Sequence, residues 1–294
     1  MHPVLDDLIT LLQLERIEKN IFRGESRDIG SAQVFGGQVL GQALSAAQHT
    51  VDDRVVHSLH AYFLRRGDME APIVYEVDRA RDGGSFSNRR VVAIQHGRPI
   101  LNMAASFQIV EQGLEHQASM PDVPGPADCD DILDAESELV QKMPEKMRRH
   151  MAARRAFELR PVAQERQPGG ATKNVWLRAV DKLPDSRALH RNLLAYASDY
   201  ELLGAATIPH DLSFEKGGVI MASLDHALWF HREVRIDEWL LYSIESPNAS
   251  GARGFARGQF FNEAGDLLAS TAQEGLMRVV DEPNGERSDP KLQN

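Results

Sequence analysis

The feature that most restricts the fold is residues 192–204, a stretch with helical periodicity and almost no polar side. Apolar side chains recur at helical spacing from Leu193 to Tyr200, and the stretch ends at Gly204, a residue that commonly stops helices. A helix that is apolar nearly all round lies inside a protein. We therefore expect a fold that encloses this helix, with Asp199 near its middle.

Asp199 is the unusual member of this predicted helix. Removing a carboxylate from water costs several kcal/mol, as an order of magnitude, unless polar partners compensate. The side chain could point out of the one wet side, beside Ser198 and Glu201. The helix pattern alone slightly favours that position, whereas the rest of the chain favours an enclosed, functional carboxylate.

Composition excludes several classes of partner. The 294 residues are 42% hydrophobic with a net charge of −10, which argues against a nucleic-acid partner and against adsorption to anionic membranes. No apolar run is long enough for membrane insertion, and no signal peptide is evident. The lone Cys129 lies among carboxylates, where a thiol is poorly reactive, and one cysteine fits a reducing compartment. We expect a cytoplasmic protein.

A second helix is predicted over residues 34–48, and it is rich in glycine and alanine. Glycine costs an isolated helix about 1 kcal/mol per residue, so its repeated use indicates that other backbone packs very closely here. A loop that cradles phosphate is the competing interpretation. The glycine spacing matches neither the dinucleotide nor the P-loop pattern, which disfavours that alternative.

The predicted elements follow the same order twice, as a strand, a helix and four further strands. The other predicted elements are helices over 5–12 and 132–157, and strands over 14–22, 55–66, 73–79, 87–95, 99–110, 173–180, 218–232, 239–246, 253–261 and 267–277. Local matches support a duplication: residues 60–66 resemble 226–232, and Arg89 and Arg257 lie equally far before the glycine of the next hairpin. Each half would wrap an antiparallel sheet around one helix.

Motifs through most of the chain resemble the type II acyl-CoA thioesterases, the TesB-like family, which are built from two tandem hotdog units. The motifs are Val34–Ala43, Leu59–Arg65, Asp82–Ser87, Ala104–Gln108, Ala195–Asp199, Leu224–His231, Glu238–Tyr242, Ala252–Phe255 and Ala269–Gly275. The resemblance implies an α+β fold in which each antiparallel sheet surrounds a long central helix. It implies an N-terminal hotdog over 1–120 without a catalytic acid, a linker and connector helix over 121–163 and a catalytic C-terminal hotdog over 164–281. The polar tail over 282–294 is expected to be disordered.

The resemblance also implies the reaction and its residues. The expected activity is hydrolysis of acyl-CoA to fatty acid and CoA, with no metal or cofactor, by a homodimer or homotetramer. The family's catalytic Asp, Thr and Gln correspond to Asp199, Ser223 and Gln273, so Ser223 replaces the usual threonine. Serine keeps the hydroxyl but lacks the methyl group that restricts its rotamer. Gln38 stands roughly where the second half has Asp199.

This set suits the chemistry of a thioester. Asp199 can accept a proton from water, while Ser223 and Gln273 can hold that water. Backbone N–H groups at a helix start could polarise the carbonyl. Taken singly, Ser223 and Gln273 are more often structural residues, and Asp199 is about as often structural as functional; their joint occurrence in one motif set favours the functional interpretation.

Histidine offers a rival mechanism. His57 and His60 are three apart on one predicted strand, as are Ser223 and His226, so we expect each pair to face opposite ways. No Gly-x-Ser-x-Gly elbow is present. His57 or His226 could act as a base, although satisfied core histidines are more common. A hotdog hydratase or dehydratase would place a histidine beside Asp199, and a binding protein would tolerate any residue there.

Coenzyme A carries phosphates, so arginines are expected at the site entrance. The available residues are Arg65, Arg66, Arg89, Arg90, Arg253 and Arg257. The same charges could instead discourage pairing between sheet edges. The sequence leaves both roles open.

Overall fold

The computed structural model describes residues 1–27, 33–131, 156–163, 170–212 and 218–279. Three α-helices lie in this part of the chain, α1 (Pro3–Leu12), α2 (Gly36–Gln48) and α3 (Arg187–Ala197), with 3-10 helices at Pro126–Asp128 and Leu203–His210. The thirteen described strands are β1 (Glu15–Glu18), β2 (Ile21–Gly24), β3 (Val55–Phe63), β4 (Ile73–Asp82), β5 (Phe86–Gln95), β6 (Arg98–Gln108), β7 (Phe157–Pro161), β8 (Thr172–Ala179), β9 (Val219–Ser223), β10 (Asp225–Phe230), β11 (Leu240–Ser250), β12 (Arg253–Asn262) and β13 (Leu267–Val279).

Most predicted elements are confirmed, with ends shifted by a few residues. The single strand predicted over 14–22 is instead the hairpin β1–β2. The helix predicted over 132–157 falls mainly outside the described residues, and its last residue, Phe157, begins β7. The predicted tail, 282–294, also lies outside them.

The strands form one antiparallel sheet in which the two halves of the chain meet edge to edge. The strand order is β1-β2-β4-β5-β6-β3-β10-β13-β12-β11-β8-β7, with β9 also pairing β13. The halves join where β3 pairs β10, for example Leu59 with Leu228. Helices α2 and α3 pack together against this sheet, and one apolar core includes residues of both halves. The expected α+β, tandem hotdog architecture is confirmed.

Close packing between the helices explains the glycines of α2. A Cβ atom on Gly37 would lie 2.2 Å from the carbonyl oxygen of Tyr196, and one on Gly41 would lie 3.1 Å from that of Asn192. The first distance is far inside van der Waals contact, so no larger residue fits without moving backbone. The start of α2 therefore lies against the end of α3.

Helix α3 is displaced from its predicted range, and Asp199 is not in its middle. The side chain of Ser186 accepts a hydrogen bond from the N–H of Leu189 and caps the start. The helix ends at Ala197, and Glu201 adopts a left-handed backbone with φ of 63°. Asp199 thus lies in the turn beyond the helix, where its side chain can face α2 rather than the next helical turn.

The strand predicted over 218–232 is broken at Leu224. Before the break, Ser223 pairs with Gly275; after it, Ala227 pairs with Ala272, which places His226 opposite Gln273. The β9–β10 segment therefore has one more residue than the facing part of β13, which is a β-bulge. Because the bulge consumes one residue, Ser223 and His226 lie on the same face of the sheet, and the expectation that they face opposite ways is wrong.

The sheet ladders align the two halves differently from the sequence matches. Tyr75 pairs with Ala93 and Ala93 with Leu101 in the first half. The same ladder in the second half runs from Tyr242 through Phe260 to Ala269. Both tyrosines are fully buried and donate hydrogen bonds to the central-helix region, to Gln42 Oε1 and Ser198 O respectively.

This alignment makes Leu101 on β6 equivalent to Ala269 on β13, so Ala105, four residues later, is equivalent to Gln273. Leu59 pairs with Ala105 and His226 lies opposite Gln273, so Leu59 is equivalent to His226. The match of His60 with His226 is therefore wrong, since His60 faces outward and His226 is buried. A slip of one residue exchanges the two faces of a strand.

Candidate active site

Asp199 lies between the end of α3 and the start of α2, and its side chain is only 6% exposed. The backbone N–H of Gly37 donates a hydrogen bond to its carboxylate. A Cβ atom on Gly36 would lie 2.7 Å from Asp199 Oδ2, so only glycine allows the carboxylate to pack this close to the start of α2. The helix start also carries a partial positive charge that favours a carboxylate. The solvent-facing position for Asp199 is therefore wrong.

Gln273 is the second predicted site residue, and the structure brings it to Asp199. Its Nε2 lies 2.7 Å from Asp199 Oδ1 and donates a hydrogen bond to it. The glutamine is 1% exposed and projects from β13 toward the helix ends. Its Oε1 atom is also buried and has no hydrogen-bond partner among the described residues. A buried acceptor with no partner is costly in a folded protein and is common where a ligand or substrate binds.

Ser223, the third predicted residue, is close to this pair but not bonded to it. Its partner Gly275 follows Gln273 by two positions on β13, so the side chains of Ser223 and Gln273 point to the same face. Ser223 is partly exposed, and no hydrogen bond joins its hydroxyl to another described residue. The hydroxyl is thus free to contact a molecule beside the Asp199–Gln273 pair.

His226 completes the cluster, as the only titratable imidazole that the described residues place against Asp199. Its Nδ1 lies 3.2 Å from Gln273 Nε2 and 3.9 Å from Asp199 Oδ1, and its Nε2 lies 2.9 Å from Ser198 Oγ. A histidine beside Asp199 is the arrangement that a hydratase or dehydratase would show. The ring is nevertheless fully enclosed, with both nitrogens engaged, so it matches the satisfied core histidine that the sequence favoured.

Burial changes the protonation of these groups in opposite senses. Desolvation raises the pKa of Asp199 from 3.8 to about 6, although the hydrogen bonds from Gln273 and Gly37 oppose the change. Desolvation lowers the pKa of His226 to about 3. Near neutral pH the pair therefore consists of a carboxylate that can accept a proton and an imidazole that is uncharged.

Tyr242 holds the turn that carries Asp199. Its hydroxyl donates to the carbonyl oxygen of Ser198 at 2.9 Å and also contacts Thr271 Oγ1 at 2.9 Å. A Cβ atom on Gly258 would lie 2.4 Å from the tyrosine ring, so this glycine makes room for it. The turn is fixed by groups that the sequence analysis did not select.

Three of the arginines considered for phosphate binding, and Cys129, have defined surroundings in the structure. Arg89 is only 1% exposed and binds Thr50 and Asp82 inside the first half, so it is excluded as a phosphate ligand. Arg253 and Arg257 form surface ion pairs with glutamates. Burial and Asp128 raise the pKa of the Cys129 thiol, which agrees with the expectation that it is unreactive.

Gln38 is not the first-half counterpart of Asp199. It lies in the first turn of α2, where it donates to the carbonyl oxygen of Glu25 and accepts from the N–H of Arg27. Asp199, by contrast, follows the end of α3. The structural role of Gln38 is to secure the chain that precedes α2.

The sequence missed Gly37, Ser198 and Tyr242 as parts of the site. Gly37 could have been found from the glycine-rich start of α2, which was correctly interpreted as a close-packing surface. Ser198 and Tyr242 carry no separate signal, because a serine after a helix and a tyrosine in a strand are common structural residues. Their roles depend on which helix end meets which strand.

Together, the double hotdog fold and the buried carboxylate–amide pair form a candidate active site at the junction of two helix ends. A family model described as "Acyl-CoA thioesterase" matches residues 147–276, and one described as "Acyl-CoA thioesterase N-terminal domain" matches residues 23–108. Acyl-CoA thioesterase 2 of Haemophilus influenzae is 44% identical over 283 residues, which cover 95% of this chain and 99% of that protein.

Two further relatives agree. Acyl-coenzyme A thioesterase 8 of Homo sapiens is 40% identical, over 92% of this chain and 88% of that protein. The solved structure of acyl-CoA thioesterase II TesB2 from Mycobacterium marinum has a TM-score of 0.78 at 42% identity, covering 93% of this chain and 99% of that one. The chain belongs to the acyl-CoA thioesterase family and is a thioester hydrolase.

Proposed function

We propose that this protein hydrolyses acyl-CoA to a free fatty acid and CoA, with Asp199, Gln273 and Ser223 acting on one water molecule. The observation that carries the proposal is the contact of 2.7 Å between Gln273 Nε2 and Asp199 Oδ1 in a buried site. It joins a proton acceptor to an amide whose oxygen is left without a partner among the described residues.

Asp199 is the general base in this proposal. Its pKa of about 6 leaves it ionised at pH 7 yet close enough to neutrality to accept a proton efficiently. Gln273 Oε1 accepts a hydrogen bond from the water, and the hydroxyl of Ser223 contacts the same water from the adjoining strand. The water oxygen attacks the thioester carbon while Asp199 takes its proton. Collapse of the tetrahedral intermediate breaks the carbon–sulfur bond, and the proton passes to the CoA sulfur.

The N–H of Gly37 holds the base in this scheme. It donates to Asp199, so it is not a donor to the thioester carbonyl as the sequence analysis suggested for the helix start. This hydrogen bond favours the ionised form of Asp199 and keeps the carboxylate oriented. A hydratase is disfavoured because His226, the imidazole beside Asp199, has both ring nitrogens occupied.

The experiment follows release of free thiol from an acyl-CoA, using purified wild-type protein and the Asp199→Asn variant. The amide is nearly isosteric but cannot serve as a base, so we expect kcat/KM to fall by roughly a hundred- to ten-thousand-fold. Melting curves serve as the control for folding. Near-wild-type turnover by folded Asp199→Asn would remove the mechanism, and binding of acyl-CoA without thiol release by the wild type would leave a binding protein.

We also propose the division of the chain into hotdog units over 1–120 and 164–281, with 121–163 between them and a tail over 282–294. No strand is described among residues 109–131, after β6 ends at Gln108, which supports the first of these boundaries. The proposed compartment is the cytoplasm, since a single cysteine needs no oxidising compartment. The proposed oligomeric state is a homodimer or homotetramer. No helix among the described residues is long and apolar enough to cross a membrane.

A further inference from the structure

His226 is a fully buried group that the proposed chemistry does not use. It projects from β10 into the site, its side chain is 0% exposed, and both ring nitrogens have partners. Nε2 lies 2.9 Å from Ser198 Oγ, and Nδ1 lies 3.2 Å from Gln273 Nε2. The equivalent position in the first half is Leu59, so the fold itself does not require an imidazole here.

The hydrogen bonds of Ser198 determine which ring nitrogen carries the proton. The Ser198 hydroxyl donates its hydrogen to the carbonyl oxygen of Ala195 at 2.9 Å. A hydroxyl has one hydrogen, so its oxygen must accept from His226 Nε2–H. Burial lowers the pKa of His226 to about 3, which keeps the ring neutral with one N–H. Nδ1 is therefore a lone-pair acceptor.

This tautomer fixes the amide of Gln273. One hydrogen on Nε2 is donated to Asp199 Oδ1 at 2.7 Å, and the other is directed at His226 Nδ1. A flipped amide would set Oε1 against a carboxylate and a nitrogen lone pair, which repel it. The observed orientation leaves Oε1 as the buried atom without a partner among the described residues.

We propose that His226 is a positioning residue whose Nδ1 lone pair holds the Gln273 amide with Nε2 on Asp199 and Oε1 turned to the attacking water. The inference rests on the proposed function of Asp199 and Gln273. His226 exchanges no proton with the substrate; Ser198 sets its tautomer, and the tautomer sets the amide. Ser198, His226 and Gln273 thus act in sequence to orient Gln273 Oε1, the atom that accepts a hydrogen bond from the water.

Two substitutions of similar size separate the acceptor from the rest of the ring. In His226→Asn the side-chain oxygen can occupy the place of Nδ1 and accept from Gln273. In His226→Gln the amide reaches toward Ser198 in the place of Nε2, and the acceptor beside Gln273 is lost. We expect kcat/KM on one acyl-CoA to stay within about threefold of wild type for His226→Asn and to fall roughly tenfold to hundredfold for His226→Gln, the scale of a misplaced reacting group.

The pH profile of kcat/KM gives a readout that a merely structural role would not move. The hydrogen bond from Gln273 lowers the pKa of Asp199, so a released amide raises it and shifts the acid limb of the profile to higher pH. We expect that shift in His226→Gln and its absence in His226→Asn. Other titratable groups facing Asp199 are Tyr196 and Tyr242, and burial raises the pKa of both, so they stay neutral.

The outcomes separate this inference from the proposed function. Equal losses in folded His226→Asn and His226→Gln, or an unshifted acid limb in His226→Gln, would overturn the positioning role alone. An active Asp199→Asn would instead overturn the proposed function. If both His226 variants fail to fold, Ser198→Ala decides, because it removes the acceptor that selects the tautomer: an upward shift of the acid limb supports the inference, and an unchanged limb overturns it.

Discussion

The two halves of the chain build the same ladder of strands but fill its centre differently. The second half has His226 opposite Gln273 beside a helix end, and the first has Leu59 opposite Ala105 at the equivalent pair. On the neighbouring strands, β5 and β12, the first half has the polar residue and the second half has the small apolar one. Arg89 is buried next to Ala105, whereas the residue next to Gln273 is Ala256.

In this row of the ladder the two halves therefore bury polar side chains at different positions and with different partners: Arg89 in the first half, and His226 with Gln273 in the second. In the first half, Arg89 satisfies the backbone oxygen of Thr50 just beyond the end of α2 and pairs with Asp82. In the second half, the carboxylate of Asp199 lies just beyond the end of α3, against the amide of Gln273, whose oxygen has no partner among the described residues. A closed network stabilises one half, whereas in the proposed mechanism the other half keeps an acceptor for the attacking water.

Among the substitutions that exchange residues between the halves, the largest expected effect comes from giving the second half the first half's pair. The double variant His226→Leu with Gln273→Ala should retain the fold, because Leu and Ala already occupy this register in the other half. It removes the amide acceptor and its support, and we expect kcat/KM to fall roughly a hundred- to thousand-fold, as for loss of an oriented transition-state contact. Thiol release measures the loss.

Gln273→Ala alone is the matched control for that variant. Since His226 acts through Gln273, the single variant should account for nearly all of the loss, and the two changes should be strongly non-additive. A folded double variant with wild-type turnover would show that the difference between the halves at this pair has no catalytic meaning.

Arg89 and Arg257 test whether the buried arginine of the first half stabilises the fold more than the exposed arginine of the second half. Arg89→Ala removes a side chain that is 1% exposed and bonds to Thr50 and Asp82, and we expect the free energy of unfolding to drop by about 2–3 kcal/mol. Arg257→Ala removes a half-exposed surface pair with Glu245 and should cost less than about 1 kcal/mol. Denaturant titration compares them; equal costs would contradict the assignment of opposite faces.

The pH dependence of activity is the next effect in size. Asp199 must be ionised to act as a base, so kcat/KM should be level above about pH 7 and fall about tenfold per unit below pH 6, near its pKa. His226, with a pKa of about 3, contributes nothing to this limb. A profile without an acid limb between pH 5 and 7 would contradict the assignment of the base.

The same raised pKa affects stability with the opposite sign. Between pH 3.8 and about 6 the folded state binds more protons at Asp199 than the unfolded chain, so this group's contribution to stability decreases as the pH rises through that window. Its ionised form costs the folded state about 3 kcal/mol at higher pH. Wild type should therefore melt lower, relative to Asp199→Asn, at pH 8 than at pH 5.

Local pattern was sufficient to predict much of the fold. Apolar periodicity identified α1, and the helix predicted over residues 34–48 and the strands predicted over 87–95 and 99–110 were confirmed. The glycines of α2 indicated the close contact that Gly37 makes with Tyr196. The duplication was also correctly inferred. These features depend on neighbours in sequence or on the volume of one residue.

Features set by register could not be predicted in this way. The bulge at Leu224 puts Ser223 and His226 on one face, and a difference in hairpin length puts Arg89 and Arg257 on opposite faces. Both are slips of a single residue, and sequence spacing alone does not reveal where one occurs. For the site, Asp199 and Gln273 lie together as expected, but the placement of Ser223 on the same face as the imidazole of His226 depends on that bulge.

The smallest expected effect concerns Ser223, the hydroxyl that approaches the pair from the far side of the bulge. Ser223→Ala removes one contact from the water but leaves Asp199 and Gln273 in place, so we expect a loss of only about tenfold, the worth of one neutral hydrogen bond. Ser223→Thr restores the family's residue; the added methyl restricts the rotamer, and kcat/KM should stay at or slightly above the wild-type value. Ser223 is partly exposed and forms no hydrogen bond to another described residue, so neither change should alter the melting temperature appreciably. Unchanged turnover in Ser223→Ala would remove the hydroxyl from the mechanism and leave Asp199 and Gln273 as the pair that distinguishes the second half from the first.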